Sequence, residues 1–261
     1  MSVLDSIIEG VREDLAQRRT SLAHIRQALD QAPPVRDPLA ALMAHEMSVI
    51  AEVKRASPSK GQLADIVDPA ALAEQYVLAG ATVISVLTER RKFGGSLADL
   101  DAVRSRVDIP LLRKDFMVDE YQFFEARAHG ADVVLLIVAA LGQNQLNDYH
   151  QLALELGMRA IVEVHTNDEL ERAFEISPEI IGINSRNLKT LEVDPQAFAE
   201  LIPRIPSSLV RVAESGISTR ADVDFAQKHG ATAILVGEAL VKAGDPITAM
   251  RELLGLGRLE L

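Results

Sequence analysis

Ser48-Val49-Ile50-Ala51-Glu52-Val53-Lys54 decides the fold. An apolar, β-branched run here ends on two charges spaced two apart, so a strand built from it carries Glu52 and Lys54 on one face at its carboxyl end. Seven further runs of the same kind follow: TVISVLT (82–88), IPLLRKD (109–115), DVVLLIV (132–138), RAIVEV (159–164), EIIGIN (179–184), LVRVAE (209–214) and TAILVG (232–237). They recur every 20 to 35 residues or so, roughly one strand, one helix and two loops of a parallel βα repeat. Eight such units predict a closed (β/α)8 barrel, the TIM barrel.

The intervening segments carry helix signals. Asp68-Pro69 precedes AALAEQYVLAG, Thr166 precedes Asp168 and Glu169, Asp194-Pro195 opens another segment, and Ser218-Thr219 precedes RADVDFAQKHG. Gly80, Gly130, Gly157 and Gly230 each follow a helical segment, as left-handed C-terminal caps do. Ahead of the repeat, Val3, Ile7, Ile8, Val11 and Leu15 stand at helical spacing. Pro33-Pro34 and Asp37-Pro38 divide this region from a short helical segment around Leu39 to Ala44. Its polar face mixes Glu9, Glu13 and Asp14 with Arg12 and Arg18, which favours packing on the barrel over lying on a membrane. The expected organisation is a single domain over 1–261, with 1–47 as an N-terminal helical extension.

With 261 residues and 48% hydrophobic content, the length suits two small domains or one barrel, and the eightfold repeat selects the barrel. A net charge of −11, from 27 Lys and Arg against 38 Asp and Glu, disfavours nucleic acid or an anionic membrane as partner. Any anionic ligand must be met locally. No cysteine is present, which excludes disulfides and thiolate metal sites. The most apolar run, Ala131 to Leu141, contains Asp132 and falls short of the ~20 residues of a membrane helix. With no basic start leading into an apolar core, the cytoplasm is the expected location.

The charges gather at strand ends, where barrel enzymes place their active sites. Glu52 and Lys54 close the first strand, Lys114 the third, on the face of Leu112, and Glu163 the fifth, on the face of Ile161. An internal salt bridge is the bland alternative, but an unsupported buried ion pair contributes little stability that apolar packing would not. His165 suits a helix-capping or loop role, and no metal is assigned. Asn184 and Arg186 share a face after the sixth strand, and the planar guanidinium suits a carboxylate or phosphate; the alternative is a loop arginine paired with an acid. Glu214-Ser215-Gly216 follows the seventh strand, and Gly237-Glu238 opens a short helix toward Lys242 after the eighth. Glycine turns and exposed amides after the last two strands are a phosphate-site arrangement.

With these residues in place, the sequence resembles the indole-3-glycerol phosphate synthase family over essentially its whole length. VIAEVKRASPSKG, from Val49 to Gly61, is the most specific match, followed in order by LLRKDF (111–116), VEVH (162–165), GIN (182–184), AESGI (213–217) and VGEAL (236–240). The resemblance implies ring closure, decarboxylation and dehydration of 1-(2-carboxyphenylamino)-1-deoxyribulose 5-phosphate, without a cofactor. It further implies that Lys114 is the acid of ring closure, that Glu163 moves a proton at dehydration, and that Lys54 is a second acid touching substrate. Glu52 would orient both lysines. Asn184 and Arg186 would position the substrate, Glu214 would line the mouth, Ser57 would meet a substrate anion, and Phe93 and Phe116 would pack on its aromatic ring. Ser215, Gly216, Gly237 and the Glu238 amide would surround the phosphate. The chain departs from the family's common pattern at Ser185, Asn187 and Lys92, none of them a proposed catalytic group. No fused isomerase domain is expected, and the expected state is a monomer or weak homo-oligomer. The rivals are another phosphate-binding barrel enzyme, either an aldolase using Lys54 or Lys114 as a Schiff base or a sugar-phosphate isomerase, and a non-catalytic barrel that binds phosphorylated metabolites.

Overall fold

The structure, a computed structural model, describes residues 2–256; residues 1 and 257–261 of the expected domain lie outside the described residues. Eight parallel strands close on themselves: β1 Ser48–Val53, β2 Val83–Leu87, β3 Leu111–Lys114, β4 Val133–Ile137, β5 Arg159–Val164, β6 Ile180–Asn184, β7 Val210–Glu214 and β8 Ala233–Val236. Sequential strands are neighbours, and β1 closes the ring by pairing with both β2, where Glu52 lies opposite Ser85, and β8, where Ala51 lies opposite Val236. The fold is the expected TIM barrel.

Burial explains why these runs read as nearly continuous apolar stretches: parallel strands in a barrel are covered on both faces. Ile50, Val83, Leu112, Leu135, Ile161, Val212 and Leu235 meet inside the barrel. Their sequence neighbours Ala51, Ile84, Leu111, Val134, Val162, Ala213 and Ile234 pack outward under the helices. Each fully buried Leu, Ile or Val contributes roughly 1.5–3 kcal/mol relative to exposure. At the carboxyl end of the barrel Glu52, Lys114, Glu163 and Glu214 stand beside Leu87, Ile137 and Leu235.

Three helices precede the barrel, α1 Val3–Arg18, α2 Leu22–Gln31 and α3 Pro38–Met43. The prolines mark one boundary as expected, but α1 and α2 separate at Arg19–Ser21, where Ser21 caps α2 by accepting from the His24 amide. Apolar spacing carries no sign of that break. The Ser48 hydroxyl, at the start of β1, donates to the Leu42 carbonyl, which puts α3 against the floor. Leu4, Ile7 and Val11 of α1 pack with Phe116 and Val118. Arg18 makes two hydrogen bonds to Glu125, at 2.9 and 3.1 Å, while Arg91 grips Glu13 at 2.7 Å and Asp14 at 2.6 Å.

The outer helices begin as the caps predict. Asp68 caps α4 Pro69–Leu78, Thr166 caps α8 Asn167–Phe174 and Thr219 caps α10 Arg220–Lys228. α9 Gln196–Leu201 starts one residue past Pro195. The remaining helices are α5 Leu97–Arg104, α6 Tyr121–Ala128, α7 Gln143–Glu155, α11 Glu238–Lys242 and α12 Pro246–Leu254. Gly80, Gly130, Gly157 and Gly230 all hold positive φ, the left-handed cap expected of them. Among the described residues, no helix is long and apolar enough to cross a membrane.

Candidate active site

Strand ends and loops at the carboxyl side of the barrel surround a cavity of about 510 Å³, within the range of small-molecule sites. All fourteen residues singled out in the sequence line it: Glu52, Lys54, Lys114 and Glu163; Ser57, Phe93, Phe116, Asn184, Arg186 and Glu214; Ser215, Gly216, Gly237 and Glu238. Alternation brings Glu52, Lys114, Glu163, Asn184 and Glu214 inward at the ends of five strands, and the loops that follow the strands supply most of the others.

Five ionisable groups form the centre: Glu52, Lys54, Lys114, Glu163 and Glu214. Lys54 Nζ lies 2.5 Å from Glu52 Oε1, and Lys114 Nζ lies 3.6 Å from Glu52 Oε2 and 3.5 Å from Glu214 Oε2. Glu52, Glu163 and Glu214 are buried. Burial works against the Lys114 charge, but Glu214, Glu52 and Glu163 outweigh it and hold the ammonium well above the ordinary lysine value. Burial likewise opposes ionisation of Glu52, yet Lys54 and Lys114 keep that carboxylate below its usual value. Glu214 goes the other way. Burial, reinforced by Glu163 and Glu52, outweighs Lys114 and pushes its carboxyl up, so it favours the neutral acid. Both its oxygens are buried without a hydrogen bond of good geometry.

Glycines make room for these carboxylates. A Cβ at Gly182 would stand 2.1 Å from Glu214 Oε1, and one at Gly237 would stand 2.8 Å from Glu52 Oε1. Gly237 thus has a reason to be glycine that does not involve an anion. At the seventh strand end, Ser215 holds φ 66° beside Gly216 at φ 72°. A left-handed serine costs about 1–3 kcal/mol, and such strain gathers at ligand sites. The Ser185 hydroxyl donates to the Ser215 carbonyl at 3.1 Å, so this departure from the family pattern supports the turn.

At the other end of the cavity, the Phe93 and Phe116 rings lie 6.1 Å apart and tilted by 40°. Among the described residues, Arg186 is not paired with an acid. One of its guanidinium nitrogens donates to the Leu191 carbonyl at 2.9 Å, and its amide donates to Asn184 Oδ1. Ser57 lies in a two-residue hairpin, Ala56–Ser57 against Gly61–Gln62, that the sequence reading did not anticipate. His165 has a loop role: its amide donates to Glu169 at 2.8 Å just ahead of α8.

Sequence reasoning missed other wall residues. Val3, Leu4 and Ile7 bring α1 to the cavity, and Lys60 and Lys242 reach Glu238 at 2.6 and 2.8 Å, neutralising the carboxylate that would repel a phosphate. Lys242 stands four residues after Glu238, a helical ion-pair spacing that was legible. Lys60 is 178 residues away, and no local pattern announces that return.

A family model described as indole-3-glycerol phosphate synthase matches residues 4–253. Indole-3-glycerol phosphate synthase 1 of Streptomyces coelicolor is 56% identical over 259 residues, covering 98% of this chain and 96% of that protein. The indole-3-glycerol phosphate synthase of Nocardioides sp. is 57% identical over 258 residues, covering 98% of this chain and 99% of that protein. Among solved structures, 3-hexulose-6-phosphate synthase superposes with a TM-score of 0.64 at 18% identity, covering 82% of this chain and 100% of that one, a likeness of fold alone. A match that runs from α1 to α12 covers the barrel, its leading helices and every strand end at the mouth; the chain belongs to the indole-3-glycerol phosphate synthase family.

Proposed function

We propose that the family's reaction runs at this mouth: 1-(2-carboxyphenylamino)-1-deoxyribulose 5-phosphate closes its ring, loses carbon dioxide and then water, and leaves as indole-3-glycerol phosphate. The enzyme is a carboxy-lyase of tryptophan biosynthesis. The ring carbon that bears the carboxylate attacks the ribulose carbonyl while Lys114 gives the carbonyl oxygen a proton. The carboxylate leaves as carbon dioxide, and its bonding electrons restore the aromatic ring. Lys54 then protonates the departing hydroxyl as Glu163 removes a proton, and water is released.

The observation that carries this reading is the charge held on Lys114 by the Glu52 carboxylate, 3.6 Å away in a buried mouth. A lysine kept as ammonium is an acid and a poor nucleophile, which favours ring closure over the Schiff-base alternative. An ammonium held this firmly yields its proton to an oxygen that becomes basic as the ring forms. Glu52 orients both lysines. Phe93 and Phe116 flank the aromatic ring, Arg186 faces its carboxylate, Asn184 meets the hydroxyls, and Glu214 lines the wall as a neutral acid. Ser57 contacts a substrate anion, and Ser215, Gly216, Gly237 and the Glu238 amide surround the phosphate.

Two acids and a base cover every proton transfer, so the reading needs no cofactor. It places the enzyme in the cytoplasm as a monomer or weak homo-oligomer acting as one domain, with residues 1–47 as an extension packed on the barrel. The net charge of −11 supports a small-molecule partner over nucleic acid. The test is direct: on adding the carboxyphenylamino-deoxyribulose phosphate, indole absorbance rises, and its absence refutes the reading. A borohydride-stable adduct at Lys54 or Lys114 would overturn the acid roles.

A further inference from the structure

The proton that Glu163 takes at dehydration has to leave it before the next turnover, yet Glu163 is 2% exposed and a seated substrate covers it further. Behind it stands His165, which the reaction as described does not use. His165 Nδ1 lies 3.0 Å from Glu169 Oε2, the same oxygen that accepts from the His165 amide at 2.8 Å. His165 Nε2 lies 3.4 Å from Glu163 Oε1 and is buried without a hydrogen bond. The imidazole thus bridges two carboxyl groups, one at the reacting centre and one on α8 whose side chain is 18% exposed.

Glu169 selects the tautomer. With a proton on Nδ1 bound to Glu169, the neutral ring turns the Nε2 lone pair toward Glu163. At 3.4 Å that contact is longer than a full hydrogen bond, and a small rotation of the ring closes it. Three carboxyl groups face the ring: Glu163 from its own strand, Glu169 from α8 and Glu214 from β7. Burial works against a charged ring, but the Glu169 hydrogen bond and these carboxylates outweigh it, so the imidazole accepts a proton more readily than a free histidine. Arg172, on α8, helps keep Glu169 ionised, after the larger effect of His165 itself.

We propose that Glu163, His165 and Glu169 form a proton relay between the covered mouth and solvent, with His165 as the residue that positions and discharges Glu163. Outward transfer moves two protons one place each. The Glu163 O–H bond breaks as Nε2–H forms, and Nδ1–H breaks as an O–H forms on Glu169, which then loses its proton to water. The starting tautomer returns once the product has left: Nε2–H passes its proton to water in the emptied mouth, and Nδ1 takes one from water by way of Glu169. The inference rests on Glu163 being the proton acceptor of the proposed reaction.

The test uses the full chain with three variants, His165→Asn, His165→Ala and Glu169→Gln, under saturating substrate. Each should lower kcat by about ten- to a hundredfold with a much smaller change in KM, less than the ~10²–10⁴-fold of losing a general acid or base outright, because Glu163 itself remains. In all three the solvent deuterium isotope effect on kcat should grow, because proton exit becomes limiting. Added imidazole should restore His165→Ala in proportion to the neutral imidazole present and should leave Glu169→Gln slow. His165→Asn retains a side-chain amide beside Glu169 and carries the test if His165→Ala does not fold. Unchanged kcat and isotope effect in His165→Asn and Glu169→Gln, or a folded His165→Ala that imidazole does not restore, would overturn the relay while wild-type turnover keeps the proposed reaction standing. A wild-type chain that forms no indole product removes both.

Discussion

Arg113 and Lys114 are consecutive on β3 and face opposite ways, and the contrast between their surroundings separates support from chemistry. Arg113 is fully buried under the helices, and all three of its guanidinium nitrogens are engaged. Its Nε donates to Thr88 Oγ1 at 3.1 Å, Nη1 donates to the Gln122 carbonyl at 3.0 Å, and Nη2 meets Asp115 and Glu125 at 2.9 Å each. Lys114, inside the barrel, has ion-pair partners at 3.5 and 3.6 Å, beyond hydrogen-bonding distance, and one of them favours the neutral form. A cation whose neighbours are all in hydrogen-bond contact has nothing left to offer a ligand. One held by loose carboxylates keeps a proton to give.

Replacing each residue should break the comparison in a different place. Lys114→Ala should lower kcat by roughly 10²–10⁴-fold, the usual loss of a general acid, with a smaller loss of stability than Arg113→Ala because Glu52 keeps Lys54 as a partner and Glu214 can stay neutral. Turnover close to wild type would remove its role. Arg113→Ala should instead cost about 3–5 kcal/mol of stability in a denaturant titration, since Asp115 and Glu125 are left buried and unpaired. A stable Arg113→Ala chain would show that this network is dispensable.

The two clusters should also answer pH with opposite signs. Burial opposes the charge on Glu125, but Arg113 and Arg18 hold it below its usual value, so its stabilisation is present at neutral pH and lost as pH falls through that lowered value. Glu214 is raised, so the folded chain loses stability as pH climbs from the ordinary carboxyl range toward the raised value. Glu214→Gln should therefore melt higher than wild type by a margin that widens between about pH 5 and about pH 8, whereas Glu125→Gln should melt lower by a margin that narrows toward acid. A Glu214→Gln margin that does not change with pH would contradict the neutral acid. The smallest effect belongs to Arg186→Ala, which should raise KM by about three- to tenfold with a lesser change in kcat. An unchanged KM would take Arg186 out of substrate binding.

Much of this contrast was legible in the sequence. Alternation along β3 puts Leu112 and Lys114 on one face and Arg113 on the other, and the same rule brought Glu52, Glu163 and Glu214 to the mouth. What alternation does not carry is reach. Arg18 meets Glu125 across 107 positions and Lys60 meets Glu238 across 178, distances set by how long side chains cross a finished barrel. Leu4 was passed over for a related reason: helical spacing identified the apolar stripe of α1, but the strip of it that overhangs the mouth follows from the angle at which α1 crosses the barrel.

Gly182 and Gly237 give these strands a shared inheritance. Gly182 on β6 leaves the volume that Glu214 of neighbouring β7 fills, and Gly237 after β8 does the same for Glu52 of neighbouring β1. A carboxylate and the hydrogen atom that stands in place of a side chain opposite it are therefore one unit spread over two strands. Anyone transplanting this charge set into another barrel has to move β6 with β7, and β8 with β1. Moved alone, Glu214 or Glu52 would find its space already taken.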